Sequence, residues 1–305
     1  MASKENEIIR RYFNKESDRD DVLIGVGDDA ATVRLPSGME LVSAIDTIVE
    51  GVHFPAHFDP GDIGYRALAV NLSDFAAMGA EPAWALLSLS LPAADESWLG
   101  SFSDGFFGLA GRYNVALIGG DLIRGPMTAT VTVLGHVPAG MAITRAGAQA
   151  GDLVYVTGSP GAAALGLAKL TNPNAQDSGL EQFFRRPQPR VQQGIALRGI
   201  ATAMIDISDG LLTDAGHIAM ASGVRINFDY DALMKISRGE LTAAFCGGDD
   251  YEILFTVPEK KLDALNAATA GWTCGPGCIG KIEPGQGLIM PGHDLAAYSG
   301  YDHFA

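Results

Sequence analysis

Aspartates at the ends of apolar stretches are the residues of this sequence best suited to chemistry. Most follow a strand-like run or lie beside a glycine. They are Asp28, Asp29, Asp46, Asp74, Asp121, Asp206, Asp209, Asp249 and Asp250. Carboxylates gathered at strand ends repel one another unless a cation neutralises them, and Mg²⁺ takes oxygen ligands together with substrate phosphates. The set therefore predicts a divalent-metal site that handles phosphate groups.

A structural explanation competes with the metal site for each aspartate taken singly. Asp beside Gly is common turn chemistry, and Asp209 could cap the helix predicted for residues 210–222. Turns alone explain poorly why apolar strands end in Asp so often. The metal hypothesis is therefore favoured for the set as a whole.

Other features could contact a phosphorylated substrate. His53 follows Asp46 closely, and the guanidinium of Arg145 could reach a phosphate. Residues 157–161 (TGSPG) are typical of a strand–turn–helix junction, where backbone amides could face a phosphate. The basic stretch 185–190 could do the same. The competing interpretations are a structural histidine, a surface ion pair, an ordinary turn and a solvated loop.

Charge and missing motifs exclude several classes of function. The 305 residues include 21 Lys and Arg against 36 Asp and Glu, and the net charge of −15 disfavours nucleic acid and anionic lipid as partners. The chain has no GxxxxGK[ST] phosphate loop and no G-x-S-x-G nucleophile elbow. Three cysteines make no disulfide framework. Without a secretory apolar core or a membrane-spanning run, a cytoplasmic location is expected.

Helices and strands interleave along the chain, which predicts an α/β (α+β) fold. The predicted helices cover residues 4–14, 62–79, 95–113, 161–170, 190–200 and 210–222. The predicted strands cover residues 22–34 (two strands around a turn), 40–48, 83–92, 115–121, 127–137, 152–158, 201–208, 225–230 and 251–257. A glycine-rich change of composition predicts two domains, residues 1–140 and 141–305.

The motifs occur in the order found in the thiamine-monophosphate kinase family, which this chain resembles. The shared pieces are GDDAA, AIDT-x3-GVHF, ALAVNLSDFAAMGAEPAWALLSLSLP, LIGGDLIRGP, TRAGAQAGD, VTGSPG, RRPQPR, IDISDGL and GGDDYE. The resemblance extends from about Asp21 to Phe304. Each piece is weak alone, whereas the ordered set separates this family from the related aminoimidazole ribonucleotide and selenophosphate synthetases.

The resemblance implies a two-domain fold like that of aminoimidazole ribonucleotide synthetase, in a homodimer. The N-terminal domain would bind ATP and Mg²⁺ and form an intersubunit β-barrel, and we expect the 127–137 strand to pair across the dimer axis. The C-terminal domain would be α/β. The implied reaction is direct in-line transfer from ATP to thiamine monophosphate, assisted by several Mg²⁺ ions. Its attacking phosphate oxygen is already ionised near pH 7, so no general base is needed.

The resemblance also implies roles for individual residues. The metal ligands would be Asp29, Asp46, Asp74, Asp121, Asp206 and Asp209, with Ala44 and Ile45 through their backbone only. The ATP contacts would be Gly120, Asp121, Arg145 and Ser208. The thiamine monophosphate contacts would be His53, Asp249 and Tyr298. Asp28 would lie beside the ligands.

This chain departs from the family pattern at several of these positions. Ala44 and Ile45 stand where Ser or Thr is usual, so a metal there could bind only their carbonyls. Asp249 stands where Glu is commoner and is one methylene shorter. Ala162 and Ala163 replace the usual Asp-Ser, which weakens a side-chain role for that turn.

Three other functions compete with the kinase. A selenophosphate synthetase would resemble proteins with a reactive Cys and Lys near the N-terminus, but every Cys here follows residue 245. A catalytically silent regulator would bind Mg²⁺ and nucleotide without turnover. A Mg²⁺-dependent phosphatase would release phosphate without forming thiamine diphosphate.

Overall fold

The computed structural model describes residues 3–15, 18–172, 179–273, 275–301 and 304. The chain divides into two compact units. One comprises Met1–Phe75 and Glu81–Gly140, and the other comprises Ala76–Ala80 and Met141–Ala305.

Helices and strands alternate through both units, as the mixed α/β prediction requires. The helices are α1 (Lys4–Ile8, continued by a π turn over Ile9–Phe13), α2 (Pro60–Ala77), α3 (Glu96–Arg112), α4 (Ala162–Leu170), α5 (Glu181–Arg185), α6 (Val191–Ala196), α7 (Leu211–Ser222), α8 (Tyr230–Ile236), α9 (Leu241–Cys246) and α10 (Leu262–Thr269). The strands are β1 (Val22–Ile24), β2 (Thr32–Val33), β3 (Met39–Val49), β4 (Glu81–Leu91), β5 (Ala116–Arg124), β6 (Thr128–Pro138), β7 (Leu153–Val156), β8 (Ala203–Asp206), β9 (Arg225–Phe228), β10 (Ile253–Val257), β11 (Gly277–Glu283) and β12 (Gly287–Ile289).

The first unit is built on a four-stranded sheet in the order β3-β6-β4-β5, beside the small β1-β2 hairpin. Strands β4 and β5 run parallel, and α3 connects them. Helices α2 and α3 approach closely because Gly64 and Gly105 lack a side chain. A Cβ at Gly64 would lie 2.1 Å from the carbonyl oxygen of Phe102. Larger residues would force the two helices apart.

Strand β6 lies inside this sheet, with β3 on one edge and β4 on the other. Its backbone hydrogen-bonding groups are therefore committed within the subunit, so the expectation that the 127–137 strand pairs across a dimer axis is wrong. The edge strands are β3 and β5. Sheet order depends on which distant strands meet, and the local sequence pattern does not contain it.

The second unit is built on a six-stranded sheet in the order β12-β9-β11-β7-β10-β8. Strand β10 is buried at all five residues and runs antiparallel to β7 and β8. It begins at Ile253, opposite Asp206 at the end of β8, and Leu254 pairs with Val156 at the end of β7. The loops after β7 and β8 and the loop before β10 therefore meet at one edge of the sheet.

The structure confirms the longer periodic elements and corrects others. The helix predicted for residues 190–200 is shorter, as α6 ends at Ala196. The sequence pattern predicts no helix at α5, α8, α9 or α10 and no strand at β11 or β12, and the structure adds these six elements. Within the described residues, no helix is both long enough and apolar enough to cross a membrane.

Candidate active site

Asp46 and Asp74 form a carboxylate pair in the first unit. Asp46 lies near the end of β3, and its carboxyl group is in hydrogen-bond contact with that of Asp74 on α2. Burial raises the pKa of Asp46, while the contact with Asp74 and then the charge of His53 act in the opposite direction. Two carboxyl groups this close need a proton or a cation between them, so this pair suits a hard metal ion.

His53 is held beside this pair by the turn that follows β3. The backbone amide of Val49 donates to its Nδ1 over 3.1 Å. Nδ1 is thus an acceptor, so a neutral His53 carries its proton on Nε2. The predicted neighbourhood of His53 and Asp46 is present in the structure.

Asp28, Asp29, Gly120 and Asp121 line one cavity of about 460 Å³ in the first unit. The amide of Asp29 donates to the carboxylate of Asp28 over 2.8 Å, which fixes this turn. Gly120 has φ +151°, and a Cβ there would lie 1.8 Å from the carbonyl oxygen of Leu87. Because Gly120 has no side chain, β5 can pass close to β4 at this point and present Asp121 to the cavity.

Asp214, a buried acid that is not among the predicted site residues, holds the loop after β8 by hydrogen bonds. The amides of Ser208 and Asp209 donate to Oδ2 of Asp214 over 3.0 and 3.1 Å. The N-cap residue of α7 is Gly210, and no side-chain hydrogen bond caps this end of the helix. The interpretation of Asp209 as the cap of α7 is therefore wrong. Burial, followed by the charge of Asp206, raises the pKa of Asp214 to about 7. A nearby cation would favour its ionised form.

Asp249 lies in the loop before β10, half-exposed, and accepts a 3.0 Å hydrogen bond from the hydroxyl of Tyr251. Its amide donates to the carbonyl of Ser208 over 2.9 Å. The structure thus brings the predicted substrate residue Asp249 next to the loop that carries Ser208 and Asp209.

Tyr298 packs edge-to-face on the buried ring of Phe245, with 5.0 Å between the ring centroids. The segment beyond it contacts the loop after β8, because the amide of Tyr301 donates to the carbonyl of Asp209 over 3.2 Å. Tyr298 is half-buried, so part of its side chain remains accessible.

The turn at residues 157–161 does not offer its helix-start amides to a phosphate. Gly161 and Ala163 donate their amides to the carboxylate of Asp250 over 2.7 and 3.1 Å. The predicted phosphate cradle is therefore wrong at these amides, because an internal carboxylate occupies them. Burial raises the pKa of Asp250 to about 8, against the lowering effect of those two amides.

Arg190, in the basic stretch, is also committed internally. Its guanidinium donates to both oxygens of the buried carboxylate of Glu252, over 2.7 and 2.6 Å. The hydroxyl of Thr157 donates to the same carboxylate over 2.5 Å. The phosphate interpretation of this stretch is therefore wrong for Arg190.

Arg145, Ala44 and Ile45 differ in whether they can contact a ligand. Arg145 is exposed, and its guanidinium makes no ion pair with the part of the chain that the structure describes. Ala44 and Ile45 lie on the edge strand β3, paired with β6 on one side only. Successive carbonyls of an antiparallel strand point to opposite sides, so only one of these two can offer its carbonyl at the free edge.

The predicted residues thus fall into separate groups. The first unit holds the Asp46–Asp74–His53 group and the cavity group of Asp28, Asp29, Gly120 and Asp121. The second unit holds the loops of Asp206, Ser208, Asp209 and Asp249. Among the described residues, no three His, Cys, Asp or Glu side chains are close enough to hold a metal ion by themselves. The donors are hard oxygen ligands, which fit Mg²⁺ completed by phosphate oxygens.

Comparison with family models identifies the class of protein to which this chain belongs. The family model for AIR synthase related protein, N-terminal domain, matches residues 27–137, and that for its C-terminal domain matches residues 149–291. The fold and the acidic loops therefore define a two-domain AIR synthase related protein. Hydrogenase maturation protein HypE in complex with ATP shares this fold at 19% identity and a TM-score of 0.77, over 93% of this chain and 90% of that one.

Relatives of higher sequence identity identify the family within this class. Thiamine-monophosphate kinases of Salmonella typhimurium and Escherichia coli K12 are each 46% identical, over 100% of this chain and 99% of theirs. The crystal structure of the enzyme from Stenotrophomonas maltophilia is 43% identical, with a TM-score of 0.84 over 90% of this chain and 93% of that one. The chain therefore belongs to the thiamine-monophosphate kinase family.

A related structure carries ligands. "AaThiL complexed with AMPPCP and TMP" is 31% identical, with a TM-score of 0.74 over 92% of each chain. AMPPCP is an analogue of ATP in which a methylene group replaces the oxygen that bridges the β- and γ-phosphates. A match over 92% of this chain includes residues of both units.

Proposed function

We propose that this protein transfers the γ-phosphoryl group of ATP to thiamine monophosphate and so forms thiamine diphosphate. The observation that carries this proposal is 46% identity to thiamine-monophosphate kinases along the whole chain. The related complex with AMPPCP and TMP supports both substrates. The protein is accordingly an enzyme, a phosphotransferase whose acceptor is a phosphate group.

The acidic residues are proposed to hold several Mg²⁺ ions. The ligands in this proposal are Asp29, Asp46, Asp74, Asp121, Asp206 and Asp209, with one backbone carbonyl from Ala44 or Ile45. When bound, Mg²⁺ supplies the positive charge that lets two anionic phosphates approach in line. Asp28 and Asp214 orient the turns that carry Asp29 and Asp209, through the amides described above.

The remaining residues are proposed to bind and orient the two substrates. Gly120, Asp121, Arg145 and Ser208 contact ATP, and His53, Asp249 and Tyr298 contact thiamine monophosphate. Glycine at position 120 lets β5 pass close to the Leu87 backbone of β4 beside the cavity that Asp121 lines, and the exposed Arg145 supplies a cation. The acceptor oxygen is already ionised, so orientation and charge do the work of catalysis.

The test is a product assay with separated thiamine species. The purified protein is incubated with ATP and thiamine monophosphate, with and without Mg²⁺, and unphosphorylated thiamine serves as a parallel substrate. Thiamine diphosphate that forms only with Mg²⁺ and thiamine monophosphate supports the kinase. Free phosphate without the diphosphate would instead indicate the phosphatase. ATP binding without turnover would indicate the regulator and direct attention to Ala44, Ile45 and Asp249.

We also propose that the protein is a homodimer whose residues 1–140 form the intersubunit β-barrel and bind ATP and Mg²⁺, while residues 141–305 form the second domain. The four-stranded sheet supports this through one exposed face. Leu41 and Ile45 on β3 are 56% and 64% exposed, and Leu86 on β4 and Ile123 on β5 share that face by register. These exposed apolar side chains, which share the face with polar residues such as Ser43 and Ser88, suit burial against a second copy.

Replacing Leu41 with Asp should dissociate the dimer, because a charge would be buried in the apolar contact. We expect the dimer dissociation constant to rise roughly 10- to 1,000-fold, measured by sedimentation over a concentration series. Met220→Asp is the matched control, since Met220 is an exposed apolar residue of the second unit. A monomeric wild-type protein, or an unchanged Leu41→Asp dimer, would contradict the proposed interface.

A further inference from the structure

The loop before β10 has an unusual backbone conformation at the residue proposed to bind substrate. Gly248, Asp249 and Tyr251 have φ values of 65°, 59° and 51°, in the left-handed region. Glycine adopts this conformation freely and Asp tolerates it, but a bulky residue such as Tyr does not. Such a conformation persists only where the surroundings enforce it.

Backbone hydrogen bonds fix this loop to the loop after β8. The amide of Asp249 donates to the carbonyl of Ser208 over 2.9 Å, and the amide of Tyr251 donates to that of Ile207 over 2.8 Å. In return, the amide of Ile207 donates to the carbonyl of Glu252 over 2.8 Å. The two loops therefore hold a fixed register.

Two carboxylates then tie the loop to the interior, and we call Asp250 and Glu252 the carboxylate clamp. Asp250, 8% exposed, accepts the amides at the start of α4. Glu252, 5% exposed, accepts both donors of Arg190 and the hydroxyl of Thr157. A Cβ at Gly158 would lie 1.9 Å from Oε1 of Glu252. Residue 158, in the adjoining turn, must therefore be glycine while Glu252 holds this position.

Asp249 is half-exposed, unlike the two residues of the carboxylate clamp, and its carboxylate accepts a hydrogen bond from Tyr251. Tyr251 is 9% exposed, and its hydroxyl donates to Oδ1 of Asp249 over 3.0 Å. A carboxylate rotates freely about its last side-chain bond unless a donor restrains it. The left-handed backbone at Tyr251 thus places a hydroxyl donor beside the Asp249 carboxylate.

We propose that Tyr251 is a positioning residue for thiamine monophosphate binding, which fixes the carboxylate of Asp249, and that the carboxylate clamp enforces the backbone this requires. The proposal rests on the proposed function, because that function assigns Asp249 to the substrate. A carboxylate repels the phosphate end of thiamine monophosphate and suits its cationic ring or its exocyclic amine. A fixed orientation reduces the ordering that binding must otherwise impose.

Replacing Tyr251 with Phe removes only the hydroxyl and tests this directly. We expect the KM for thiamine monophosphate to rise roughly fivefold, because binding must then order the Asp249 carboxylate. The KM for ATP should stay unchanged, and the protein should remain folded at the assay temperature. Tyr155→Phe is the matched control, because Tyr155 lies on β7 of the same unit, stacked on Phe255 and away from this loop.

A double-mutant cycle isolates the positioning role. Tyr251→Phe should add nothing further in an Asp249→Ala background, because Tyr251 acts through Asp249. Additive effects on KM, an unchanged KM in the single variant, or an equal rise in both substrates' KM values would overturn the proposal.

A crystal structure of Tyr251→Phe separates this proposal from the proposed function. We expect the Asp249 carboxylate to adopt another rotation while the loop backbone is retained. An Asp249 side chain in its original orientation would overturn the positioning role, whatever the activity. If the wild-type protein forms no thiamine diphosphate, the proposed function fails on its own, and this structural comparison still decides the role of Tyr251.

Discussion

Asp74→Asn is expected to lower kcat for thiamine diphosphate formation by about 10²- to 10⁴-fold, and Asp46→Asn by a similar factor. Either change leaves an oxygen ligand in place but removes one of the two charges that the Asp46–Asp74 pair presents to a cation. Metal charge supplies several kcal/mol of transition-state stabilisation in such reactions, and about 1.4 kcal/mol corresponds to tenfold in rate. The rate is measured at saturating ATP, thiamine monophosphate and Mg²⁺.

Stability should change in the opposite direction from activity. Burial raises the pKa of Asp46 in the folded state, so ionised Asp46 destabilises the fold as the pH rises above its unfolded pKa. Asn cannot ionise. In metal-free buffer near pH 7, Asp46→Asn should therefore have an equal or higher thermal midpoint than the wild type.

The matched control is Asp104→Asn on α3, where the carboxylate is 85% exposed and 3.9 Å from Lys15. This variant should retain activity and stability, because an exposed pair of this kind contributes little. An Asp46→Asn protein that lost both activity and stability would indicate a structural role for the pair. Retained activity in both pair variants would remove these residues from the proposed metal site.

Part of this arrangement could be predicted from the sequence. Asp46 and Asp74 stand in long segments with clear periodicity, and β3 and α2 form there because local pattern and burial agree. The positions of the DISDG and GGDDYE loops can also be predicted, since each joins an apolar strand to a glycine-containing turn. The resemblance to a known family implies the roles that are expected at these positions.

Pairings between distant residues could not be predicted in the same way. Arg190 and Glu252 are far apart in the chain, and a run of basic residues looks alike whether it faces phosphate or a buried acid. Asp249 and Asp250 are neighbours of one residue type, yet the first is half-exposed and the second is buried. Only the tertiary packing of α4 decides which of them caps a helix.

One missed residue did carry a local signal. Asp214 lies one turn after Leu211 and one turn before Ile218, on the apolar face of a helix. An acid at such a position must find buried donors, and the nearest unpaired amides belong to the turn just before the helix. Its hydrogen bonds to Ser208 and Asp209 satisfy that requirement.

Arg190→Met should strongly destabilise the second unit, because it leaves the Glu252 carboxylate charged and without its partner. The two side chains are 19% and 6% exposed. Removing one partner of a buried ion pair costs about 3–5 kcal/mol, which corresponds to a fall in thermal midpoint of roughly 6–20 °C. The fall is measured by calorimetry on the full chain.

Two further variants identify the cause. Arg186→Met changes an exposed arginine of the same stretch and should cost less than about 1 kcal/mol. Adding Glu252→Gln to Arg190→Met should recover much of the loss, because the unpaired buried charge is then absent. If Arg190 bound the phosphates of ATP instead, its loss would raise the KM for ATP and leave the thermal midpoint unchanged. The bidentate contact with Glu252 makes the stability effect the expected result.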